Sequence, residues 1–199
     1  MKKPILLPVL TIVLAALILF GAAFGLNAMA AQNAQAKHLE LMKTLLPGAE
    51  TFTVEPYSGE DANIRSVHKG EIGYVIETVT YGYAGEITMY IGVNNDGKVT
   101  GLVVWDLSET YGLGREALTD HEFLAQFLNS SGTFAVATAG ADAFSGATGT
   151  AEEADGDTVD VDALTGATVT SKAVVRCVNS AVAYVTGADA VSAATSWGG

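Results

Sequence analysis

One cysteine and three histidines among 199 residues leave this chain little material for a metal centre, a disulfide or a cysteine–histidine catalytic pair. Cys177 has no partner for an internal bridge. Val174, Val175, Val178 and Val182 around it mark it as a core residue on an apolar helix face. Basic residues are scarce as well. Ten Lys and Arg against 22 Asp and Glu give a net charge of −12. That balance argues against nucleic acid as a partner, because such binding depends on cations neutralising phosphates. Prolines number four, and two of them, Pro4 and Pro8, fall near a helix start, where they are tolerated. His38, His68 and His121 read as surface residues, the last beside Glu122 within a helix. No triad, general acid or general base stands out, so no catalytic or metal-binding residue is assigned.

Charge is absent altogether from Ile5 to Leu26. At ~1.5 Å rise per residue this stretch reaches the ~30 Å thickness of a bilayer's hydrocarbon core. Lys2 and Lys3 set the N-terminus in the cytoplasm by the positive-inside rule, leaving the remainder outside. Ala28-Met29-Ala30 resembles a signal-peptide cleavage site, but the apolar run exceeds the ~7–15 residues of a signal h-region. A retained single-pass anchor in the cell membrane is the expectation. Beyond residue 30 lie all 22 acids and eight of the ten bases, so the outer part carries −14. Such charge suits a soluble outer domain and disfavours docking on an anionic membrane surface.

Residues 1–30 are thus expected as anchor and 31–70 as connector and docking helix. Residues 71–187 form the domain and 188–199 a C-terminal tail. Ala28 to Ala36 reads as a small-residue connector, and His38 to Leu46 as an amphipathic helix closed by Pro47-Gly48. From Ile72 a two-residue period sets in through Tyr81 and recurs from Glu86 to Val93. Asn94-Asn95-Asp96-Gly97 makes a tight turn, and Lys98 to Trp105 runs back. Residues 117–128 read as a helix with Thr119 or Asp120 as cap. Phe134–Thr138 and Val159–Leu164 read as strands, and 139–157 as a loop. Lys172–Tyr184 reads as a helix ended by Gly187. The fold class is α+β, an antiparallel sheet flanked by helices.

The most informative segment is Asp162-Ala163-Leu164-Thr165-Gly166-Ala167-Thr168, followed by Val169-Thr170-Ser171. A Gly-Ala turn presents a hydroxyl just ahead of a helix N-terminus, where free N–H groups and the macrodipole favour an anion. A phosphate there gains ~0.3–1 kcal/mol from the helix end. Asp142-Ala143-Phe144-Ser145-Gly146-Ala147-Thr148 repeats the string. However, Glu152, Glu153 and Asp155 follow it and no apolar helix does. Thr168 is therefore preferred, with Thr148 as the alternative.

This string resembles the flavinylation motif Asp-x-x-(Ser/Thr)-Gly-Ala-Thr. Together with Tyr81-Gly82-Tyr83-Ala84-Gly85, Asn95-Asp96-Gly97 and Ser108-Glu109-Thr110-Tyr111-Gly112-Leu113-Gly114, it is similar to the FMN-binding domain family. That family includes the G subunits of Rnf complexes and the C subunits of sodium-pumping NADH:quinone reductases. The resemblance covers roughly residues 1–30 and 70–186. It implies FMN held covalently on Thr168 through a phosphoester, with Asp162, Thr165, Gly166 and Ala167 completing the string that a flavin transferase recognises. Val169, Thr170 and Ser171 would line the phosphate. Glu109, Thr110, Gly112, Leu113 and Gly114 would form a cofactor-binding loop whose glycines let the backbone approach the ring.

Further, the resemblance implies an electron-transfer subunit of a ferredoxin:NAD oxidoreductase that exports Na⁺ or H⁺, with membrane subunits as partners. Trp105, Tyr83 and Tyr111 are candidates to wall the flavin ring. Tyr111 stands where the family has proline, and a histidine usual before Ser108 is missing. A stand-alone anchored flavoprotein and a non-redox exported binding or scaffold module are the alternative functions.

Overall fold

The computed structural model of the chain describes residues 6–107, 118, 120–137, 158–164 and 166–188. Backbone contacts divide the chain into two units, Met1–Leu41 and Met42–Gly199. Helix α1 runs without interruption from Leu6 to Leu45. The stretch Ala28–Ala36, expected as a connector, is therefore helical. Its Ala and Gln residues are strong helix formers, which explains the correction. The expected anchor from Ile5 to Leu26 falls on α1, with Ile5 outside the described residues. Val13, Leu14, Leu17, Leu19 and Phe20 are exposed. Among the described residues, no helix is long and apolar enough to cross a membrane.

Five strands form one antiparallel sheet in chain order: β1 (Thr53–Glu55), β2 (Ile64–Lys69), β3 (Gly73–Tyr81), β4 (Glu86–Asn94) and β5 (Val99–Leu107). The last three are those the two-residue period marks. Asn94 closes the β4–β5 turn, its Oδ1 accepting from the N–H groups of Asp96 at 3.0 Å and Lys98 at 2.9 Å. Strands β1 and β2 lie in the segment expected as connector. A register shift between Ile64 and Ser66 explains why β2 escapes a period-two reading.

Strand β4 is buried without a break from Ile87 to Val93, so the sheet is covered on both faces. On one face, Gly92 and Gly101 meet the backbone of Leu45 so closely that a Cβ on either would collide with it. Thr100 fastens that contact, its hydroxyl donating to the Leu45 carbonyl at 2.6 Å. The opposite face, with Met89, Ile91 and Val93, packs with Val174, Cys177, Val178 and Ala181 into the main core.

Leu118 is helical, with 117 and 119 outside the described residues, and helix α2 (His121–Ala125) lies within the expected span. Asp120 caps it, accepting from the N–H groups of Glu122 and Phe123; Thr119 lies outside the described residues. Strands β6 (Thr133–Ala137) and β7 (Thr158–Asp162) pair in parallel. Helix α3 (Thr168–Thr186) ends at Gly187, whose φ of 72° is the left-handed cap. It begins four residues earlier than its apolar period suggests. The α+β expectation, a sheet with an antiparallel hairpin flanked by helices, holds.

Candidate functional site

Helix α3 lies antiparallel to β3, and three contacts fix its level. The ring of Tyr184 meets that of Tyr74 edge-on at 5.6 Å. The thiol of Cys177 lies against Thr78. The guanidinium of Arg176 donates to the Tyr81 carbonyl at 2.9 Å. Helix numbers fall as strand numbers rise, so the first turn of α3 reaches the end of the sheet where Gly82–Gly85 turns β3 into β4. The helix's far end meets the opposite turn, where Thr186 abuts Gly97. Cys177 is fully buried, and burial pushes its thiol up to about 11. Burial thus holds it protonated at neutral pH within the core.

Two side-chain amides hold the strands that feed this end. Gln126 accepts from the Asp162 N–H at 2.8 Å and donates to the Asp162 carbonyl at 3.4 Å. Asn179 does the same for Phe134, accepting at 2.8 Å and donating at 2.9 Å. Each amide pairs with a backbone as a neighbouring strand would. The sequence pattern points to neither residue.

Beyond β7 the chain turns sharply. The N–H of Ala167 donates to the Leu164 carbonyl at 2.9 Å, and Gly166 sits at φ 79°, where a side chain would be strained. Ser171 ties this turn to the helix. Its N–H and its hydroxyl both donate to the Ala167 carbonyl, at 2.9 Å and 3.0 Å, while the hydroxyl accepts from the Leu164 N–H at 3.2 Å. Ser171 was expected to face a phosphate; its N–H and hydroxyl are instead engaged within the fold.

What remains open is the helix end itself. Thr168, the first residue of α3, is exposed, as are Val169 and Gly166. Ala167, in the capping position, has no side-chain oxygen to offer, and among the described residues no side chain caps the helix. The N–H groups of Thr168, Val169 and Thr170 thus lack the intrahelical partners that later residues have. They add to the positive end of the macrodipole, and the site favours an anion. Thr170 is 1% exposed, and its hydroxyl has no hydrogen-bond partner among the described residues. Asp162 projects an exposed side chain from β7, and Ala167 is buried.

Thr165, Glu109, Thr110, Tyr111, Gly112, Leu113, Gly114 and Thr148 lie outside the described residues. Tyr83 and Trp105, expected as cleft walls, are 78% and 55% exposed. They stand at the rim of this end of the sheet. The Trp105 ring meets that of Tyr90 edge-on at 5.6 Å.

The fold and the helix end define an α+β domain that presents an exposed hydroxyl at a terminus suited to an anion. Residues 82–183 match the family model described as FMN-binding domain. The chain belongs to the FMN-binding domain family.

The G subunit of the proton-translocating ferredoxin:NAD(+) oxidoreductase complex of Clostridium ljungdahlii is 36% identical over 115 residues, 58% of this chain and 54% of that protein. Its counterpart in the ion-translocating oxidoreductase complex of Methanosarcina acetivorans is 34% identical over 158 residues, 73% of each chain. The G subunit of the Na(+)-translocating ferredoxin:NAD(+) oxidoreductase complex of Acetobacterium woodii is 33% identical over 112 residues, 56% of this chain and 48% of that one. The alignments thus span about half the length of the first and third of these relatives. Among solved structures, NqrC of Shewanella oneidensis is similar at a TM-score of 0.42 and 22% identity, covering 69% of this chain and 64% of that one.

Proposed function

We propose that Thr168 carries FMN through a phosphoester on its hydroxyl. The protein then serves as the electron-transferring subunit of a membrane-bound, ion-translocating ferredoxin:NAD oxidoreductase of the Rnf type. The observation that carries this reading is an exposed threonine opening a 19-residue helix that no side chain among the described residues caps, immediately after a Gly-Ala turn. The residues present suit a phosphate. Three first-turn N–H groups lack intrahelical partners, and no acidic residue stands in that turn.

When bound, the flavin supplies the redox chemistry. The chain's own residues hold and orient it. Ser171 holds the turn from which Thr168 projects, Gln126 holds the strand that leads into it, and Asn179 holds the neighbouring strand, so the tether would leave the fold at one defined point. Gly166 and Ala167 leave the threonine free of bulk, which gives a flavin transferase access to it. Asp162 and Thr165 complete the string that the enzyme reads. Glu109, Thr110, Gly112, Leu113 and Gly114 supply a glycine-rich backbone for the ring. A covalent tether has a physical purpose on the outer side of a cell, where a dissociable cofactor would be diluted away.

The anchored, single-pass placement follows Lys2, Lys3 and the uncharged run Ile5–Leu26. The exposed Val13, Leu14, Leu17, Leu19 and Phe20 on α1 support it, since apolar side chains so displayed favour a non-aqueous surrounding. Relatives are named for proton and for sodium translocation alike.

The test is coexpression with a flavin transferase, followed by flavin fluorescence of the denatured band. Wild type and Thr148→Val should fluoresce and Thr168→Val should not. A dark wild-type band would reject the reading; loss confined to Thr148→Val would move the site. Copurification with integral membrane subunits tests the assignment to a complex.

A further inference from the structure

Of the two neighbouring hydroxyls in the first turn of α3, the fold uses one and leaves the other idle. Ser171 donates to Ala167 and accepts from Leu164. The hydroxyl of Thr170, a residue only 1% exposed, makes no hydrogen bond among the described residues. A buried hydroxyl without a partner opposes folding, and valine would fill the same space without that cost. Threonine at this position has a physical reason only if its hydroxyl is satisfied in another state of the protein.

Its location says which state. Thr170 precedes Cys177 by seven residues, two helical turns, and shares its sheet-facing side, where Cys177 lies against Thr78. Thr168 stands two residues earlier, on the opposite, exposed flank of the same turn. Side chains on a helix lean towards its N-terminus. Both side chains therefore lean towards the helix end, whose first N–H groups have no intrahelical partners.

We infer that Thr170 is a positioning residue for the phosphate carried by Thr168, its hydroxyl donating to a phosphate oxygen and thereby orienting the tether. This rests on the assignment of FMN to Thr168. The phosphate is the one part of the cofactor that an ester at residue 168 brings within reach of residue 170. Ser171 has no such role, because its hydrogen bonds are complete without a ligand.

The experiment compares the full-length chain with threonine, valine or serine at position 170. Each is made with and without a coexpressed flavin transferase, and intact mass reports the phosphoester. In the unmodified chain, Thr170→Val should raise the melting temperature by about 2–4 °C, the shift expected on removing one unsatisfied buried hydroxyl. In the flavinylated chain the same substitution should lower it, and Thr170→Ser should restore it. The ³¹P resonance of the phosphodiester should move in Thr170→Val and return towards the wild-type position in Thr170→Ser. Equal melting shifts in both forms, with an unmoved ³¹P line, would overturn the role of Thr170 while leaving Thr168-FMN intact. A wild-type chain that gains no mass with the transferase present would overturn both.

Discussion

The Leu164 N–H donates to the Ser171 hydroxyl at 3.2 Å, across the turn that delivers Thr168 to the helix end. Because that hydroxyl also donates to the Ala167 carbonyl, one short side chain holds the strand exit, the turn and the first helical residues together. Ser171→Ala should leave the part-buried Leu164 N–H unpaired and cost about 1–2 kcal/mol of stability in urea unfolding. It should also lower the fraction of chains flavinylated in a fixed time, read by intact mass. An unchanged unfolding midpoint would show that the turn is held by other contacts.

Asn179 reaches β6 from α3 with both ends of its amide. Replacing it with leucine keeps the branched outline and removes both bonds, which should cost about 2–3 kcal/mol. Gln126→Leu, which breaks the more exposed pair with Asp162, should cost about 1 kcal/mol or less. Denaturant midpoints of the two variants test the order; the reverse order would contradict it.

Gly92 and Gly101 allow the sheet to approach Leu45. At Gly101 an added Cβ would stand 2.9 Å from the Leu45 Cα and 3.0 Å from its oxygen. These are backbone atoms, which cannot swing aside as a side chain does. Gly101→Ala should therefore destabilise the domain by about 1–3 kcal/mol, and Gly92→Ala by at least as much. Thermal melting checks this, and a neutral outcome at both positions would mean that Leu45 does not pack there in solution.

Cys177 gives the domain an alkaline limit. Burial raises its folded-state value to about 11 from an ordinary 9.0. Between those values the unfolded chain releases the thiol proton and the folded chain keeps it. Stability from this group is thus complete below about pH 9 and declines as pH rises towards 11. The loss is on the order of 2–3 kcal/mol. Tyr90, pushed up to about 12 chiefly by burial, adds to the decline in the same direction above pH 10. Urea titrations from pH 7 to pH 10.5 should show a shallower decline in Cys177→Ala than in wild type. The thiol should also resist disulfide reagents until the protein unfolds.

The parts of the fold legible in the sequence were those with regular periods and explicit punctuation. The alternation in β3 and β4, the turn at Asn94–Gly97, the cap at Asp120 and the stop at Gly187 all appear as read. Strand β2 was hidden because its register shift at Ile64 interrupts the alternation that would have marked it. The helical path through Ala28–Ala36 is hidden because a run of small residues has no apolar period, although alanine is the best helix former of all.

At the site, the motif located Thr168 and its turn but not what holds them. Gln126 and Asn179 act across 36 and 45 residues of sequence, a distance over which no local pattern speaks. Nor does the string Thr170-Ser171 reveal that one hydroxyl is spent and the other idle. That difference arises only from the turn folding back on the helix.

The proposed redox role depends on an FMN ester at Thr168, and the decisive observation is peptide mass spectrometry across residues 139–176 of protein made by its own host. A gain of one FMN less water is expected on the fragment containing Thr168, absent from Thr168→Val and unaffected by Thr148→Val. Unmodified fragments throughout this stretch, or a modification confined to Thr148, would refute the assignment.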